Sequence, residues 1–169
     1  MSDIFADNTY PQIDRDLFFT LIDANMSNGE STNYVLLGDD LEELTEELNP
    51  DIEKRTNILG KQSVVHKGYE PETDVDPYYA RKGDPLYATI ENIAKNRLKG
   101  SACKTTKVET LFNEDGTCAW ATQEDVMIVP KSKGGDTSGY AIPFTIYSLG
   151  NLKHGTFNAS TKQFTEANP

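Results

Sequence analysis

Hydrophobic and polar positions along the chain follow a period of two over most of its length. Residues 68 to 93, GYEPETDVDPYYARKGDPLYATIENI, show this and its one clear interruption. Tyr69, Pro71, Val75 and Tyr79 fall on odd positions, and Glu70, Glu72, Asp74 and Asp76 on even ones. That alternation predicts a strand with one apolar face and one carboxylate row. Pro71 and Pro77 place it at an edge or a bend, because proline cannot donate to a ladder. Gly83-Asp84-Pro85 then starts a helix expected over about 84 to 99. Asp84 caps it, Pro85 takes its first turn, and Gly100 stops it after Arg97 and Lys99. Leu86, Ile90, Ile93 and Leu98 form a narrow apolar stripe suited to packing on a sheet.

Elsewhere the pattern predicts strands. Asp16 to Asp23 and Asn33 to Gly38 make a hairpin around a loop at 25 to 32, and Ser63 to His66 is extended. Thr105 to Phe112 and Thr117 to Val129 are expected to turn at Asn113-Glu114-Asp115-Gly116, followed by Tyr140 to Leu149. A small hairpin pairs Thr156-Phe157 with Gln163-Phe164. The Gly- and Ser-rich stretch from Lys131 to Gly139 reads as a flexible loop. Leu41 to Leu59 fits two templates. Leu41, Leu44 and Leu48 stand at helical spacing, which slightly favours a helix. Two strands answering across a turn near Asn49-Pro50-Asp51 fit as well. The layout is mainly β with one α-helix, a sandwich or barrel of two packed antiparallel sheets. Residues 1 to 15 read as an arm, and 16 to 169 as a single domain.

Composition narrows the function. The chain has 169 residues, enough for a core without metal or disulfide staples. Acidic residues outnumber basic ones 27 to 16, giving a net charge of -11. This balance opposes binding to nucleic acid, whose affinity comes mainly from neutralised phosphates. Residues 1 to 10 are polar and acidic, so no signal peptide is expected, and no apolar run approaches membrane-spanning length. The Asn25-Met26-Ser27 and Asn158-Ala159-Ser160 sequons therefore carry no weight. Cys103 and Cys118 flank the predicted Asn113–Gly116 hairpin, with Phe112 facing Cys118. At strand rise this puts Cys103 roughly 30 Å from Cys118, too far to bridge.

The sequence carries no complete catalytic or metal-binding pattern. His66 and His154 have no second ligand at zinc spacing. No Gly-x-Ser-x-Gly elbow occurs, and Lys133-Gly134-Gly135 lacks the rest of a phosphate loop. Asp23 to Gly29 imitates a calcium loop, but its glycine is one place late and its twelfth position is Tyr34 rather than Glu. The row Glu70, Glu72, Asp74 and Asp76 fits an edge strand kept soluble better than an acid–base pair. No enzyme activity, metal or cofactor is expected.

The order of these elements resembles that of bacteriophage major tail tube proteins over roughly residues 33 to 166. The resemblance rests on Leu44-Thr45-Glu46-Glu47-Leu48-Asn49-Pro50, then Gly68-Tyr69-Glu70-Pro71, then Gly83-Asp84-Pro85. Gly155-Thr156-Phe157 and Thr161 to Thr165 (TKQFT) complete it. It implies a structural virion protein whose hexameric rings stack into a tube conducting DNA to the host. A tail terminator, a head–tail joining protein or the tube of a phage-like injection particle is the alternative. It further implies that Leu41 to Leu59 is two strands. Glu43, Glu47 and Glu53 are then candidates for the lumen wall, with the Glu70 to Asp76 row as the rival set. Asn49, Pro50 and Asp51, together with Ser132, Lys133, Gly134, Gly135 and Asp136, are candidate contacts between rings. The implied partners are further copies of the chain and other tail proteins, namely tape measure, terminator and sheath. DNA passes without specific binding and no membrane is engaged. The implied location is the virion tail, with assembly in the host cytoplasm.

Overall fold

A computed structural model describes residues 10–27 and 31–167. The fold is mainly β with one helix, as the alternation predicts. Its strands are β1 (Phe18–Asp23), β2 (Tyr34–Leu36), β3 (Glu46–Glu47), β4 (Pro50–Thr56), β5 (Gln62–Tyr69) and β6 (Glu72–Val75). After helix α1 (Pro85–Asn96) come β7 (Lys104–Phe112), β8 (Cys118–Pro130), β9 (Gly134–Asp136), β10 (Gly139–Ala141), β11 (Phe144–Asn158) and β12 (Gln163–Glu166). Residues 1–9 of the expected arm lie outside the described residues. Its last turn is tied to the body by the Arg15 guanidinium, which donates to the Phe18 and Leu44 carbonyls.

The main sheet is antiparallel in the order β2-β1-β7-β8-β11-β6-β3, with β12 paired to the far half of β11. Register shifts between Ser148 and Lys153 bend β11, so its first half pairs with β6 and its second with β12. The sheet turns back on itself into two packed layers, and both faces of its centre are covered. Leu21 and Val108 pack with Tyr34, Ala121 and Phe157 on one side. Ile22, one residue on, joins Val75, Val126, Ile128, Phe144 and Ile146 on the other. This two-sided burial explains why β1 reads as an unbroken run, Phe-Phe-Thr-Leu-Ile, rather than an alternating one.

Helix α1 closes the second core with Leu86 and Ile90, and Ile93 on the same face is also buried. Each such side chain contributes about 1.5–3 kcal/mol of burial free energy. Asp84 caps the helix as expected. One carboxylate oxygen accepts from the Leu86 amide at 3.0 Å, and the other from the Tyr78 hydroxyl at 2.8 Å. The stop differs from expectation. The helix already ends at Arg97, which takes the left-handed conformation (φ 53°), and the Leu98 amide returns to the Ile93 carbonyl, while Gly100 (φ 66°) opens the short turn that follows. The capping hydrogen bonds outweigh a left-handed cost of about 1–2 kcal/mol for a residue with a Cβ.

The extended reading of Leu41 to Leu59 holds in outline, whereas the helical one does not. Its pairing also differs from a local hairpin. β3 pairs with β6 and β4 with β5, while Leu41 and Leu44 pack against the helix-side core. Leu side chains at i and i+3 therefore reach one core from irregular chain, which periodicity cannot distinguish from a helix. The Asn113 to Gly116 turn is as predicted, with Phe112 opposite Cys118 and both cysteines free. Asp23 is fully buried. Its carboxylate accepts from the Asn25, Ser27 and Asn33 amides and the Ser27 hydroxyl, so it organises its own loop.

Candidate functional site

The hairpin β4–β5 is exposed along nearly its whole length. Its ladder runs from Pro50 opposite Tyr69 to Thr56 opposite Gln62, and among the described residues neither strand pairs with any other. The Asn57 side chain builds the tip, its oxygen accepting from the Leu59 and Lys61 amides at 3.0 Å. Gly60, at φ 76°, completes the turn, a conformation glycine adopts at no steric cost. At the base Asn49 has φ 46° and its side-chain amide donates to the Glu70 carbonyl. Nearly every hairpin residue is exposed, including Ile52, Ile58, Leu59, Val64 and Val65. A two-stranded ribbon is marginal alone in water, and apolar side chains on it call for cover.

Beside the hairpin's base lies an acidic groove of about 610 Å³, lined by Asp40, Glu42, Glu43, Glu47, Glu72, Asp74 and Asp76. Two of the three lumen candidates, Glu43 and Glu47, thus share a surface with most of the rival row. Glu47 stands directly opposite Glu72 across the β3–β6 pair, a destabilising like-charge neighbourhood. Lys131 offsets part of it, 2.5 Å from Asp74 and 3.8 Å from Asp76. Glu53 is elsewhere, on the hairpin, held by Arg55 at 2.6 Å and Lys67 at 2.8 Å. Those two hydrogen bonds lower its carboxyl pKa. Glu70 is exposed at the β5–β6 junction and does not line the groove.

The two inter-ring candidate segments are more ordered than loops. Pro50 and Asp51 belong to β4, leaving Asn49 as the hinge from which the hairpin departs. The chain pairs here because the true turn lies further on, at Asn57 to Lys61. Gly134 to Asp136 form β9 against β10, with Ser132 and Lys133 leading in. A Cβ on Gly135 would sit 2.1 Å from the Gly139 carbonyl oxygen, so only glycine permits this pairing.

A third feature was not anticipated from the sequence. Lys107, in the middle of β7, is 2 % exposed and lies among three carboxylates. Glu109 is 2.6 Å away on the same strand face, and Glu124 is 3.4 Å away on β8. Glu46 reaches Lys107 from β3, at the far end of the strand order, so this ion pair joins the two layers. Ser148 donates to Glu124 from β11. Burial penalises the charges of Glu109, Glu46 and Lys107, and the balance differs by group. It pushes Glu109 up to about 7, with Lys107 pulling the other way. For Glu46 burial is outweighed by hydrogen bonds from Glu109 and Lys107, which hold its pKa below the ordinary value. Burial also opposes the Lys107 charge, but Glu109 and Glu46 outweigh it and raise the ammonium's pKa. The three carboxylates are close enough to one another to ligate a metal ion. The ammonium already supplies the cation they surround.

No protein-family model matches the chain, and neither does any curated sequence. Solved structures do match it. The sheath/tube terminator of PVC, an extracellular contractile injection system in its extended state, aligns with TM-score 0.52 and 13 % identity. The alignment covers 88 % of this chain and 99 % of that one. The tube terminating cap of the anti-feeding prophage aligns with TM-score 0.53 and 17 % identity, over 92 % and 99 % of the two chains. A chain of the PVC sheath–tube complex gives 0.51, 12 %, 92 % and 99 %. This chain has the fold of injection-system tail components. The coverage is nearly complete on both sides. The likeness is one of fold, and it reaches terminator and sheath–tube components alike.

Proposed function

We propose that the protein is a structural tail component that assembles into rings, and specifically a tube subunit whose sixfold rings stack into a hollow conduit for DNA. Hairpin β4–β5 carries this reading. It leaves the body, pairs with no other strand among the described residues and exposes apolar side chains that a neighbouring copy would cover. Fold likeness to tail components of injection systems supports the same class. In this reading Ser132 to Asp136, at the exposed β9 turn, touch the next ring. Negative-stain microscopy of the purified protein should show hollow rings and open cylinders of variable length. A protein that stays monomeric at high concentration sinks the proposal.

A terminating cap is the second reading, supported by the likeness to two terminator chains. Caps stop at single rings where tube subunits continue, so rings that never lengthen select it.

In the tube reading the acidic groove faces the lumen, where it repels the phosphate backbone and lets the duplex pass without adhering. Glu43 and Glu47 are the residues to reverse, because Glu53 is already paired with Arg55 and Lys67. Glu43→Lys with Glu47→Lys should leave assembly intact and create DNA binding that weakens as salt rises. Assemblies that still ignore DNA after the reversal would place the wall on another surface.

A further inference from the structure

We infer that the tip of hairpin β4–β5 docks, in the assembled state, into an apolar pocket on a second copy of this chain. The pocket is a cavity of about 580 Å³ walled by Leu48, Tyr69, Trp120, Leu149 and Leu152. These five side chains are 41–57 % exposed, so a contiguous apolar surface stands open to water. Its floor is formed by Glu46, Glu109 and Glu124, with Lys107 as the one cation among them. Three carboxylates against one ammonium leave the floor short of positive charge. The tip carries the matching chemistry. Ile58 is fully exposed and Leu59 is 75 % exposed, and the next charged residue is Lys61. Two apolar side chains followed by an ammonium suit apolar walls over an anionic floor.

The tip cannot fill the pocket of its own chain. Tyr69 lines the pocket and pairs with Pro50 at the hairpin's base. β4 has seven residues, so the tip stands roughly 20 Å away along a paired ladder. The contact therefore joins two different surfaces of two copies. Such a head-to-tail contact either closes into a ring or continues as an open stack. This inference rests on the proposal of ring assembly and names the surfaces that meet.

Cross-linking tests it in a Cys118→Ser background, which leaves only the buried Cys103. Chains carrying Leu59→Cys are mixed with chains carrying Leu149→Cys or Leu152→Cys and mildly oxidised. Disulfide-linked dimers of the two variants are expected, and none with Val129→Cys, which lies on another face. Leu59→Asp, in an exposed turn with no core contact, should weaken assembly by about tenfold or more. If the wild type forms rings while the cysteine variants yield no such cross-link and Leu59→Asp assembles normally, this contact is overturned and the ring proposal stands. A wild type that never assembles overturns both.

Discussion

Replacing Lys107 with Met should lower folding stability by about 3–5 kcal/mol, the largest effect expected of any single change in this protein. Met keeps the length and apolar character of the stem and removes only the ammonium, so the loss reports charge rather than a cavity. Glu46, Glu109 and Glu124 would then face one another in a site where Lys107 itself is 2 % exposed. Their mutual repulsion is weakly screened there, and protonation of more than one carboxyl is the only relief. At about 2–4 °C per kcal/mol for a chain of this size, the melting temperature should fall by roughly 10 °C. Adding Glu46→Gln should restore part of the loss, since it removes the carboxylate that spans the layers. Urea unfolding of the single and double variants measures both effects. A cost below about 1 kcal/mol would mean that water or rearrangement already screens the cluster.

This cluster shows where the sequence stops being legible. Most of the fold could be read from local pattern. Alternation placed most strands, the Asp84-Pro85 signal placed the helix start, and Asn113 to Gly116 set a hairpin with Phe112 opposite Cys118. Lys107 and Glu109 also fall on one strand face by simple alternation. What hid their environment is a single irregularity. Extending the register from Phe112 and Cys118 puts Gln123 opposite Lys107. A shift between Leu111 and Phe112 puts Glu124 there instead. One extra residue on β8 moves every following side chain to the other face. Glu46 was hidden for another reason, because the pairing of a two-residue strand with β6 is set by tertiary packing and leaves no periodic trace.

The assembly surfaces were legible in composition and not in place. The acidic residues near Glu43 and Glu72 stand out in the sequence, yet nothing local brings them into one groove. The hairpin was split by the apparent turn at Asn49-Pro50-Asp51, where turn-forming residues mark a hinge instead. The tip at Asn57 to Gly60 carries Ile58 and Leu59, which on pattern alone resemble core residues. Their exposure appears only once the ladder beneath them is known.

Glu109 should make stability depend on pH in the opposite sense to ordinary acid denaturation. Its folded pKa is raised to about 7 by burial, above the ordinary value of 4.5. A carboxyl raised in this way contributes its full stability below about pH 4.5, where it is protonated in both states. That contribution declines as pH rises through about 7 and ionisation must occur in the folded site. The difference amounts to ~3 kcal/mol, at about 1.4 kcal/mol per pKa unit. Glu46 has the opposite sign. Its lowered pKa gives stability that is present at neutral pH and lost as pH falls below about 4.5. Together the pair predicts a maximum near pH 5 and a decline from there to pH 8. Glu109→Gln keeps a hydrogen-bond donor beside Glu46 and cannot ionise. The variant should therefore be flat between pH 5 and 8, and more stable than the parent at pH 8. Urea titrations of both proteins at unit steps of pH decide the matter. A parent that is flat over this range, or a variant that declines as steeply as the parent, would remove Glu109 as the titrating group.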